Sequence, residues 1–300
     1  MNRPMSLYTA LVTPFDADGS LKLDALPALF DFQRKAGITG IVLAGTNGEG
    51  TSLSVEERVN LLACALDHAG DLDIIAGTGA SSVSDAVALT RDAARRGARA
   101  ALVLPPFYYP NPPMEGLVAY YEAVARSADI PIILYSIPQF SGIAIDTVLL
   151  DRLRHLPNIS GIKESSGDIR ACVRILNERP DIDLYIGSDP LLAELLAAGA
   201  KGVISGSANA YPELLVAVAS AIMCGEDPHP SQTRLNQMID VLTSGPLVGL
   251  AKAILQERGI GGLHVRPPLR MPTHDEWASA LMRLDELGLT RIKPASSSLT

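Results

Sequence analysis

The 300-residue chain is poor in the features that make several function classes easy to recognise. It has three cysteines, Cys64, Cys172 and Cys224, an odd set with no CxxC spacing. That argues against a disulfide framework and suits a reducing compartment, so a cytoplasmic location is expected. Lysine and arginine number 25 against 33 aspartates and glutamates, a formal charge of −8. A surface of that sign repels phosphate backbones and argues against nucleic acid as a partner. No window holds the roughly eighteen uninterrupted apolar residues of a membrane span. The opening stretch "MNRPMSLYTALVTPFDADG" has too short an apolar run and too early an acidic turn for a signal peptide. The tail "KPASSSLT" has the composition of a frayed end. The first strand is followed by "TPFDADGS", not by a dinucleotide-binding GxGxxG, and "GTNGEG" lacks the GK[ST] ending of a P-loop.

What is present is a regular alternation of short apolar runs and helical patterns. Strands are expected at Leu7–Val12, Gly40–Ala44, Asp73–Ala76, Ala100–Leu104, Ile132–Tyr135, Ile159–Lys163, Asp183–Ile186 and Gly202–Ser205. The runs are continuously apolar, the pattern of parallel strands buried on both faces. In "SVEERVNLLACALDHAG", Val55, Val59, Leu62 and Leu66 share a face, Ser54 and Glu57 form a capping box, and Gly70 closes the end. In "SDAVALTRDAARRGA", Ser84 is the expected cap and Gly97 the stop. Eight such βα units predict an α/β fold, a (β/α)8 TIM barrel, over a doubly wound open sheet. The barrel is expected over residues 1–225. Residues 226–300 then form a helical extension packed on it, its Pro-rich joint "GLHVRPPLRMP" unlike a flexible linker.

In such a barrel the reactive residues gather at the C-terminal ends of the strands. Here those ends carry hydroxyls, phenols, glycines and one lysine, but no histidine and no carboxylate cluster with metal-ligand spacing. The lysine is Lys163, one of six in the chain, closing the run "NISGIK". It either snorkels or pairs with Glu164 or Asp168, or it is a nucleophile. Burial disfavours its charged form, and a neutral amine attacks a carbonyl to form a Schiff base. Tyr135 ends the neighbouring strand and is either a core tyrosine or a proton carrier for that chemistry. The glycine-flanked Thr46–Asn47 offers free backbone N–H groups suited to a carboxylate. "PPFYYPNPP" is either a rigid surface loop or a cover for a partner subunit.

Taken together, "LVTPFDADGSL", "GTNGEGTSLSVEER", "IAGTGA", "PPFYYPNPPMEGL", "ILYSIPQFSG", "GIKESSGD" and "GVISGSAN" resemble the dihydrodipicolinate synthase and N-acetylneuraminate lyase superfamily of pyruvate-dependent class I aldolases. The resemblance covers about residues 6 to 290. It implies that Lys163 is the Schiff-base lysine, that Tyr135 relays protons beside it, and that Thr46 belongs to the carboxylate-binding loop and links a hydroxyl relay. It implies that Tyr108 reaches into a neighbouring subunit's site, in a homotetramer built as a dimer of dimers, and that the backbone of Ile204 lies against bound pyruvate. Asn47, Phe140, Ser165 and Gly187 complete the expected substrate-binding set. No metal or organic cofactor is expected, since the lysine imine is itself the electron sink; the partners are pyruvate and an aldehyde. Two departures bear on substrate. Asn47 stands where the synthases usually carry a second hydroxyl residue, and Phe140 stands where they carry an arginine that grips aspartate semialdehyde. The combination of "TNGE", "LYSIP" and "KESSGD" looks more like 4-hydroxy-2-oxoglutarate aldolases and other 2-oxo-acid aldolases. The synthase activity and 2-keto-3-deoxy sugar-acid aldolase or dehydratase activity are the alternatives, ahead of a non-catalytic 2-oxo-acid sensor.

Overall fold

The computed structural model describes residues 5–289, so the expected fraying of the last eight residues lies outside it. The eight strands are β1 (Ser6–Ala10), β2 (Gly40–Leu43), β3 (Asp73–Gly77), β4 (Ala100–Val103), β5 (Ile132–Ser136), β6 (Ile159–Glu164), β7 (Asp183–Ile186) and β8 (Gly202–Ser205). All pair in parallel, in chain order, and β8 closes on β1. The continuous apolar runs have a direct cause. Outward side chains such as Ile41, Ile74, Val103, Leu134 and Ile186 pack under the helices, while Val42, Ile75, Leu102, Ile133 and Ile204 fill the barrel. Each buried aliphatic side chain contributes on the order of 2 kcal/mol. The N-terminal end of the barrel is plugged by the stacked rings of Tyr8 and Tyr185, 6.0 Å apart. They fit because Gly40 and Gly161 lie beneath them: a Cβ there would stand 2.7 and 2.9 Å from the respective ring atoms. β1 stops at Ala10, earlier than the apolar run suggests. Asn209 takes over the ladder there, donating to Ala10 O and accepting from Val12 N.

The helices between strands are α1 (Leu26–Ala36), α2 (Val55–His68), α3 (Val83–Arg96), α4 (Met114–Ala125), the single turn α5 (Pro138–Ser141), α6 (Thr147–Arg152), α7 (Ile169–Glu178) and α8 (Leu192–Ala197), and α9 (Pro212–Cys224) follows the last strand. α2 carries the expected capping box. α3 starts earlier than expected. Its cap is Ser82, which accepts from Asp85 N, while Ser84 spends its hydroxyl on Ser82 at 2.6 Å. Gly97, in the left-handed conformation, ends α3 as expected.

Beyond α9 come α10 (His229–Leu242), α11 (Leu247–Glu257) and α12 (His274–Glu286). Leu235, Met238, Leu250 and Ile254 of these helices belong to the same apolar cluster as the barrel's outer face. Among the described residues no single helix is long and apolar enough to cross a membrane. The Pro-rich joint between α11 and α12 is pinned rather than loose. Its Arg266 forms a two-pronged pair with Glu57 at 2.9 and 2.5 Å and donates to the carbonyls of Gly19 and Ser52. The guanidinium, helped by the Ser54 amide, holds the Glu57 carboxyl down at about 2.

A depressed folded-state value means that this pair stabilises the fold fully above the unfolded value of about 4.3, and less as pH falls toward 2. Glu57→Gln is therefore expected to lower the thermal midpoint at neutral pH. The difference from wild type should shrink between about pH 4.5 and 2, which thermal melts across that range would read. A difference independent of pH would contradict the assignment.

Candidate active site

All eight strands point their C-terminal ends at one mouth, and the loops leaving β2, β5, β6, β7 and β8 surround it. Lys163, the penultimate residue of β6, is only 3% exposed. Its inward direction depends on a register shift. Ile132 of β5 pairs with Ile159, but Ile133 pairs with Gly161, so Ser160 is an extra residue in β6. Such a bulge moves everything beyond it to the opposite face. This is why Ile159 and Ile162, three apart, both face the helices, and why Tyr135 pairs with Lys163 instead of Ile162. The lysine amine then lies 4.4 Å from the centroid of the Tyr135 ring.

The carboxylates next to the lysine in sequence are engaged elsewhere. Glu164 accepts from Ser166 N and from Cys172 Sγ, and Asp168 caps α7 by accepting from Arg170 N. Burial, with Glu164 beside it, pushes the Cys172 thiol up to about 12, so it stays protonated. Among the described residues Lys163 has no carboxylate at ion-pair distance, unlike Lys252, which sits 2.6 Å from Glu49. The structural reading of Lys163 as half of a salt bridge therefore does not hold.

Behind the amine, Tyr135 is 3% exposed and its hydroxyl lies 3.1 Å from Thr46 Oγ1. Thr46 itself is exposed at the mouth. Amine, phenol and hydroxyl thus run from the buried interior to solvent. Ile204 is fully buried in the same interior cluster as Tyr135. Asn47 lies across Gly206, where a Cβ would stand 2.5 Å from its amide nitrogen. Ser165 presses its hydroxyl against Gly187, where a Cβ would stand 1.8 Å away. These two close approaches bring the loops after β2 and β8, and those after β6 and β7, into contact around the mouth.

Two expected residues are not brought to this cluster within one chain. Tyr108 and Tyr109 form an edge-to-face pair, 82% and 74% exposed. Phe140, on α5, is 71% exposed. One strand-end carboxylate has no role assigned by the sequence. Asp189, buried just after β7, accepts from Ser205 Oγ, Ser207 N and Ser207 Oγ. Its signal is a carboxylate three residues past a strand, in "GSDP". Among the described residues no three His, Cys, Asp or Glu side chains are grouped to hold a metal ion.

A buried amine at the end of a barrel strand, with a phenol against it and a hydroxyl leading out, fits a lyase of the class I aldolase type. Known proteins agree, and the chain belongs to the dihydrodipicolinate synthetase family, whose model matches residues 3–284. It is 38% identical over 247 residues to an uncharacterised DapA-like lyase of Chloroflexus aurantiacus, covering 81% of this chain and 83% of that one. It is also 38% identical over 255 residues to the 4-hydroxy-tetrahydrodipicolinate synthase of an Exiguobacterium species, covering 84% and 87%. Among solved structures, YagE, a prophage protein of the dihydrodipicolinic acid synthase family from E. coli K12 in complex with pyruvate, superposes with a TM-score of 0.91 at 27% identity, covering 95% of this chain and 99% of that one.

Proposed function

We propose that this lyase forms a Schiff base between Lys163 and a 2-oxo acid, either pyruvate or a 4-hydroxy-2-oxo acid that releases it. The observation that carries the reading is the contact of the buried Lys163 amine with Tyr135, and of Tyr135 with Thr46. The amine adds to C2 of the 2-oxo acid, the C2 oxygen is protonated and leaves as water, and an iminium ion remains. In cleavage, the C4 hydroxyl loses its proton, the C3–C4 electrons move into the iminium, and an aldehyde departs from an enamine. Protonation at C3 and hydrolysis then return pyruvate and the free lysine. The same enamine attacking an aldehyde is the condensation. Tyr135 moves the protons, and Thr46 connects it to the mouth. The backbone N–H groups around Thr46 and Asn47, with Ile204 opposite, receive the carboxylate; Ser165 and Gly187 shape the space beyond C3. The imine itself is the electron sink, so the proposed cycle needs no further cofactor.

The exposed Tyr108 belongs, on this reading, to a neighbouring subunit's site in a homotetramer, and the enzyme is cytoplasmic. The pyruvate complex of YagE is consistent with the substrate class. Synthase activity is the second reading, favoured by relatives such as the Exiguobacterium enzyme.

The two readings separate at Phe140. A phenyl ring offers no charge and no donor to the distal carboxylate of aspartate semialdehyde; 4-hydroxy-2-oxoglutarate carries a distal carboxylate too, and on this reading its donor is the buried Ser165 hydroxyl, which has no hydrogen-bond partner among the described residues. A charge-assisted hydrogen bond from the side chain at Phe140's position is worth about 1.5–3 kcal/mol, roughly ten- to hundred-fold in kcat/KM. Wild type is expected to cleave 4-hydroxy-2-oxoglutarate with higher kcat/KM than it condenses pyruvate with aspartate semialdehyde, and Phe140→Arg to raise the condensation by that factor. Wild-type condensation at the efficiency of a dedicated synthase would establish the second reading instead.

A further inference from the structure

We propose that Lys252, on α11 of the C-terminal extension, is a positioning residue for this reaction: through Glu49 it fixes the loop that presents Thr46 and Asn47. The inference rests on the reading above, in which that loop receives the carboxylate.

The loop turns sharply at both ends. Ala44 and Glu49 both have φ of 52°, in the left-handed region that disfavours residues with a Cβ. Between them stand Gly45, Thr46, Asn47 and Gly48. Backbone bonds from Glu49 N to Thr46 O and from Gly50 N to Gly45 O close the turn. Such a conformation persists only where its surroundings over-determine it, and the side chain of Glu49 shows how. It is wholly buried and reaches the C-terminal extension. One oxygen accepts from Lys252 Nζ at 2.6 Å, the other from the backbone N–H of Arg266 at 2.9 Å. Lys252 is likewise fully buried. It donates also to His264 O, and its amine lies 4.6 Å from the centroid of the Phe15 ring. The loop after β1, the loop after β2, helix α11 and the Pro-rich joint therefore meet at one ion pair. Arg58 braces the far end of the loop by donating to Gly50 O.

Stability alone does not account for this pair. Two apolar side chains of similar volume would fill the space without the desolvation cost of two charges, and such replacements are often neutral or stabilising. What the pair adds is direction. Both oxygens of Glu49 and the amine of Lys252 are committed to named partners, which leaves the backbone at Glu49 one orientation. Burial draws the Lys252 amine down from its ordinary value, and Glu49 opposes that pull.

The test is trapping of the Lys163 imine with borohydride over a range of pyruvate concentrations, beside the same trapping with acetone, which lacks the carboxylate. Lys252→Met is expected to raise the half-saturating pyruvate concentration by roughly ten- to hundred-fold, the scale of one charge-assisted contact. Maximal labelling at saturating pyruvate, and labelling by acetone, should stay near wild type. Because Lys252→Met leaves a buried carboxylate without its partner, the double variant Lys252→Met/Glu49→Gln, which buries neither charge, carries the same expectation if the single variant does not fold. Folded variants with unchanged pyruvate saturation would overturn the inference. So would equal losses for pyruvate and acetone, which would make Lys252 a support of the whole fold. Absence of pyruvate labelling in wild type would instead overturn the reading on which the inference rests.

Discussion

Lys163→Ala should abolish turnover, with a fall on the order of 10⁶-fold, the scale on which loss of a covalent nucleophile is felt. The reason is that every bond made or broken depends on the electron sink formed at that amine. The fold should survive. Lys163 is 3% exposed and, among the described residues, has no ion-pair partner that its removal would strand. This differs from Lys252, whose loss leaves Glu49 charged in the interior. Near-UV circular dichroism matching wild type, together with rates measured on any substrate that wild type turns over, would check both halves. Turnover within tenfold of wild type would remove Lys163 from the chemistry.

The second large effect is expected at Tyr135. Tyr135→Phe keeps the ring that packs against the lysine amine and fills the barrel interior, and removes only the hydroxyl 3.1 Å from Thr46. Loss of one general acid–base group costs roughly 10²–10⁴-fold in kcat. Imine formation with pyruvate should slow but still reach completion, because the nucleophile is intact. A steady-state rate constant beside a time course of borohydride labelling separates the two. Unchanged kcat would mean that protons reach the reacting atoms by another route.

Much of the barrel is legible in the sequence for a physical reason. Parallel strands buried on both faces are written as continuous apolar runs, and the residues just past each run mark the mouth. Lys163, Tyr135 and Thr46 could be singled out that way. Register could not. The extra residue at Ser160 decides whether Tyr135 faces Lys163 or Ile162, and it depends on which strand lies alongside. The cap of α3 was misread because Ser82 and Ser84 are chemically equivalent, and only the path of the chain decides which one reaches Asp85 N. The pair of Lys252 with Glu49 joins residues 203 apart in sequence and has no local signature. Tyr108 and Phe140 lie on the surface of a single chain, so the roles expected of them rest on the motif resemblance and not on single-chain geometry.

The central claim is covalent capture of a 2-oxo acid on one lysine among six. Borohydride reduction in the presence of pyruvate, followed by digestion and mass spectrometry, tests it most directly. The account predicts a single reduced pyruvate adduct, on the peptide carrying Lys163, that requires both reagents and is absent from Lys163→Ala. An adduct on another lysine, or an active enzyme that gives no adduct, would contradict it.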